Sequence, residues 1–137
     1  AERGRAFVRE HLAALYGEPA LALIGEIVFR HNKRGDPSDP PEVAVVQDAD
    51  LIDHFGLMDV WLGAYWTAAS GETLYDYLDH CQGERARSWW EYALRHVRFG
   101  AARRELELRM ARARAAIADL RREAAAGLYL EDSQDGG

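Results

Sequence analysis

The sequence predicts an all-α helical bundle closed by a long C-terminal helix. Three observations carry that prediction. Apolar residues recur three and four positions apart in one segment after another, the spacing that places them on one helical face. No stretch alternates with the two-residue period of a half-buried strand. From Ala101 to about Ala126, Leu106, Met110, Ala113, Ile117, Leu120 and Ala124 step by four and three without a break. At 137 residues, 48% of them hydrophobic and only 4 proline, the chain fits one domain with a sizeable core. Residues 1–127 are read as that domain, and 128–137, ending in EDSQDGG, as a flexible tail.

Residues 2–16 set Phe7, Val8, Leu12 and Leu15 at helical spacing, and Gly17 stops the helix. Pro19 suits the first turn of the next, which runs over 19–32 with Leu21, Ile24, Ile27 and Val28 inward. His31 follows Ile27 by one turn and sits beside that inward face. Lys33 to Pro41, KRGDPSDPP, is a loop of three prolines, a glycine and two Asp-containing turn signals. Residues 42–56 form a helix ended or bent by Gly56, and 57–69, LMDVWLGAYWTAA, a second one whose Trp61, Tyr65 and Trp66 are expected in the core. Thr73 caps a short helix through Leu74, Tyr77 and Leu78. A further helix after Glu84 carries Trp89, Trp90, Tyr92, Ala93 and Val97, and Gly100 interrupts or kinks it before the terminal segment. The long terminal stripe either packs back over the domain or serves as a dimer seam.

The stretch EVAVVQDADLIDHFG, Glu42 to Gly56, concentrates the chemistry. It sets Asp48, Asp50, Asp53 and His54 within seven residues, amid Val43, Val45, Val46, Leu51, Ile52 and Phe55. At helical spacing Asp50, Asp53 and His54 share a face. Acids on a packed helix face are costly unless paired, hydrogen-bonded or metal-bound, and carboxylates with an imidazole are ligands that divalent metals select. Spacing alone leaves the alternative open: a solvated Asp48, an Asp53 bonded locally and a His54 at the rim.

The string Asp48-Ala49-Asp50-Leu51-Ile52-Asp53-x-Phe55-Gly56 resembles the segment that closes the metal site of HD-domain phosphohydrolases, as does its setting after His31 and a Pro-rich loop. The resemblance covers roughly residues 1–127. It implies an HD-like helical fold and metal-dependent hydrolysis of a nucleotide or small phosphate ester. It further implies a divalent cofactor (manganese, magnesium, iron, nickel or cobalt), with Asp50 as metal ligand. His31 would contact phosphate or a second metal, and Asp53 would hold geometry by hydrogen bonding. The family's His-Asp doublet does not occur; the nearest strings are His31-Asn32, Asp53-His54 and Asp79-His80. The chain is therefore expected to be the C-terminal part of such a domain, with an incomplete site. Leu51, Asp59 and Leu62 stand where relatives often carry basic residues or glycine, which implies a different or less charged substrate. The alternative function is a non-catalytic HD-like module for interaction or dimerisation through the C-terminal helix.

Composition narrows the partners. A net charge of −6 argues against general nucleic-acid binding, although residues 84–123 carry eleven Arg against six acids. Lys33 is the only lysine; such arginine enrichment suits phosphate recognition and equally suits GC-rich coding DNA. No apolar run approaches eighteen residues, so no membrane span is expected. A single cysteine, Cys81, excludes an internal disulfide and fits a reducing, cytoplasmic setting. Phosphate-binding glycine loops, GxSxG, CxxC and HExxH are absent, and the EF-hand-like Asp48-x-Asp50 lacks the required glycine.

Overall fold

A computed structural model describes residues 2–126, which form seven helices and, among the described residues, no strand. They are α1 Glu2–Leu12, α2 Glu18–Arg30, α3 Pro41–Asp53, α4 Leu57–Ala69, α5 Leu74–Gln82, α6 Glu84–His96 and α7 Gly100–Ala126. The all-α expectation holds, with the long C-terminal helix in place. The tail expected over 128–137 lies outside the described residues.

The 27-residue α7 is the spine, about 40 Å long at 1.5 Å per residue. Its periodic stripe is spent inside the chain. Leu106 and Met110 pack with Leu51 of α3 and Phe55 just beyond it, and with Ala93 and Val97 at the end of α6. Ala113 and Ile117 pack with Val60 of α4 and Tyr77 and Leu78 of α5. Complete burial of a side chain such as Leu106 contributes about 2 kcal/mol. The stripe is thus no free dimer seam: Leu106, Met110, Ala113 and Ile117 are all buried against this chain's own helices.

Local signals account for the boundaries. α3 ends at Asp53, and Gly56, at φ 112°, turns the chain into α4 in a backbone conformation that costs glycine little, with Arg109 against it. Thr73 and Asp76 form a reciprocal capping box at α5: the Asp76 amide donates to Thr73 Oγ1 at 3.3 Å, and the Thr73 amide to Asp76 Oδ2 at 2.8 Å. α1 ends at Leu12, four residues before the expected stop. Leu15 and Tyr16 are 72% and 49% exposed, so no packing supports a further helical turn there. α1 packs on α2, with Val8, Leu21 and Gly25 buried, and α2 in turn packs on α3.

The aromatic segment 57–69 departs from expectation. α4 turns its small residues inward and its large ones out. Val60, Gly63, Ala64 and Thr67 occupy one half of the helix, of which Val60 and Ala64 pack into the core with α5 and α7. Leu57, Met58, Trp61, Leu62, Tyr65 and Trp66 occupy the other half, each between 41% and 66% exposed. The inward half admits no large residue at the tightest point. A Cβ on Gly63 would come within 2.7 Å of the buried Tyr77 ring.

Candidate functional site

Acids that sequence places side by side in the DAD segment have separate fates, because α3 presents them at different angles. Asp48 lies on the buried side and is 3% exposed. Its carboxylate accepts the Arg98 amide on both oxygens at 3.1 Å and the Phe99 amide at 2.9 Å. Those amides introduce α7, where a negative charge is also favoured by the helix dipole. Asp48 is therefore neither solvated nor available to a ligand; it fixes the start of the spine helix.

Asp50 lies at the edge of the same helix, its side chain 31% exposed, in an ion pair with the Arg34 guanidinium. Arg34 is itself only 7% exposed, and its Nε also donates to the Gln47 carbonyl at 3.4 Å. Asp53 and His54 are exposed at the end of α3. The shared face predicted for Asp50, Asp53 and His54 thus opens to solvent rather than to the core. His31 is half-buried just past α2. Its Nδ1 donates to the Val28 carbonyl at 2.8 Å, so Nε2 is the lone-pair nitrogen of the neutral ring.

Between these groups runs a polar seam that the loop reading missed. The Asp39 side chain is wholly buried; Arg30 and Arg98 converge on it, the latter at 2.9 Å. Gln47, 2% exposed, donates from Nε2 to Asp39 Oδ2 at 3.1 Å and to the carbonyls of Arg30 at 2.9 Å and Lys33 at 3.1 Å, while its Oε1 is buried without a donor. Asp36 completes the loop. It accepts from the Ser38 hydroxyl and amide, which with Arg30 hold its carboxyl below the ordinary carboxylate value of 3.8. Lys33, the other loop cation, lies over the Phe29 ring at 3.5 Å. The loop's cations are therefore already engaged, and a Pro- and Asp-rich connector gives no sequence signal of that closure.

Could these residues hold a divalent ion? Among the described residues, no three His, Cys, Asp or Glu side chains are grouped to do so, and the Asp50 carboxylate already faces a guanidinium. A groove of about 1120 Å³ opens between α4 and α6 and is lined by Asp59, Tyr77, Cys81, Trp89 and Ala113, among others. Burial pushes the Asp59 carboxyl up, opposed by His54, and likewise raises the Tyr77 hydroxyl and Cys81 thiol, so the last two stay protonated at neutral pH.

None of the described helices is long and apolar enough to cross a membrane. Comparison with protein-family models, with curated proteins and with solved structures finds no match.

Proposed function

We propose that the chain is the helical part of an HD-type metal-dependent phosphohydrolase acting on a nucleotide or another small phosphate ester, with Asp50 as its contribution to the metal site. The observation that carries this reading is the division of labour inside Asp48-Ala49-Asp50. Asp48 is consumed in fixing α7, whereas Asp50 keeps a partly exposed edge on the helix that Asp48 ties down. A ligand carboxylate needs both accessibility and a fixed support. Because the sequence has no His-Asp doublet, the remaining ligands in this reading come from polypeptide outside residues 2–126. This chain's own groups have narrower tasks. Arg34 orients Asp50, and His31 Nε2 would offer its lone pair to a metal ion or, when it carries a proton, an N–H to a phosphate oxygen. Asp53, one turn beyond Asp50 and exposed, offers an orienting hydrogen bond.

The test is manganese binding, followed by the loss of the free-ion paramagnetic signal, together with phosphate release from a panel of nucleotides and phosphate esters. Both are measured on the complete protein. Asp50→Ala is expected to abolish both while leaving helicity unchanged. Metal-dependent hydrolysis that survives in Asp50→Ala overturns the assignment. A second reading, a non-catalytic helical interaction module, is favoured by one observation: the large apolar half of α4 faces outward.

A further inference from the structure

We infer that the outer face of α4 is the contact surface of a homodimer, in which two copies pair about a two-fold axis. A helix that is apolar on all sides is ordinarily buried on all sides. α4 carries a single charge, Asp59, and that residue lines the groove toward α6. At 13 residues it is far too short to span a bilayer. The distribution of size within the helix makes the same point. A helix whose function ended with its own fold would bury Trp61, Tyr65 and Trp66 and expose its small residues. α4 does the reverse, and Gly63 against Tyr77 fixes the helix in that orientation.

The occupant is set by area and charge. The six outward side chains, each 41% to 66% exposed, are together on the scale of a monomer's largest apolar patch and of the ~800 Å² that each partner contributes to a standard interface. The patch contains no charged residue on a chain of net charge −6. It therefore has nothing with which to steer or select a charged partner. Between two copies the same neutrality is an advantage, since a two-fold axis sets each residue near its own counterpart and would place like charges together. The aromatic rings are already ordered for packing: Trp61 stacks on Tyr65 at 5.9 Å, and Tyr65 meets Trp66 edge-on at 5.3 Å. This inference does not depend on Asp50 binding a metal.

Sedimentation equilibrium of the full-length protein from low to high micromolar concentration tests it. The expected result is a monomer–dimer equilibrium. Two of the four tryptophans lie in the patch, so emission should shift to the red on dilution as they return to water. Trp66→Glu is expected to weaken the dimer roughly thirtyfold or more, as loss of a central aromatic anchor does, and Leu62→Lys should act in the same direction. Leu108→Glu, on the exposed side of α7, should leave the association unchanged. A monomer at every concentration overturns the inference, and so does a dimer that survives both Trp66→Glu and Leu62→Lys. A monomer whose tryptophan emission is already that of buried rings would assign the face to another segment or partner instead.

Discussion

The polar seam beneath α3 and the outer half of α4 treat their side chains in opposite ways. In the seam, charged and amide groups are buried and almost every one has a partner: Asp39 takes two guanidinium groups and Gln47, Asp48 takes two backbone amides, and Arg34 takes Asp50. On α4, two tryptophans, a tyrosine and three other apolar side chains are left exposed, with Trp61, Tyr65 and Trp66 meeting one another. Satisfied polar groups make the seam rigid, because removing any one strands its partners. Unsatisfied apolar surface leaves the outer half of α4, unlike the inner half that packs into the core, replaceable as far as this chain's own fold is concerned. The contrast separates what holds the chain together from what it offers to others.

The sharpest way to break this comparison is Asp48→Ala, which leaves the Arg98 and Phe99 amides without their acceptor. A loss of about 2 kcal/mol is expected, read as a lower urea midpoint with an unchanged slope. A smaller effect, about 1 kcal/mol, is expected for Gly63→Ala. The added methyl meets the Tyr77 ring, and part of that cost is offset by the better helix propensity of alanine. A neutral Gly63→Ala would mean that α4 can rotate, and the distinction between its inner and outer halves would fail.

The smallest effect concerns the one acid of α4. Burial raises the Asp59 carboxyl, so its ionised form opposes folding at neutral pH. Asp59→Asn should therefore be more stable than the parent above that raised value. The advantage should shrink as pH falls through it and vanish below 3.8, where the unfolded chain is protonated too. Paired urea titrations across that range check the sign. An advantage that instead grew toward low pH would put Asp59 in an ion pair rather than in the groove wall.

Periodicity makes the helices legible, and the α7 stripe most of all, because a pattern sustained over six apolar positions has only one face to bury. Thr73 is legible as a cap, its reciprocal partner Asp76 less so. Two things are not legible. Periodicity reports that α4 is apolar without saying which half of an all-apolar helix faces the core; the decision lies in Gly63 and Tyr77, fourteen residues apart. The buried role of Asp39 depends on Arg30 and Arg98, of which the second is far along the chain, so its Pro-rich surroundings look like an ordinary connector. At the candidate site the DAD segment is conspicuous in the sequence, but the sorting of Asp48 inward and Asp50 to the edge emerges only once the helix is packed.

The bond from Asp48 to the start of α7 joins residues fifty positions apart. It closes a loop containing the whole of α4, α5 and α6, and such closure must be made before the core contacts it enables can form. Those three helices are thereby enlisted into one cooperative unit with α3 and α7, while α1 touches that unit through α2. Amide exchange should reveal that unit. The Arg98 and Phe99 amides should exchange only when this whole loop opens, and the amides of α1 should exchange by a separate, earlier fluctuation.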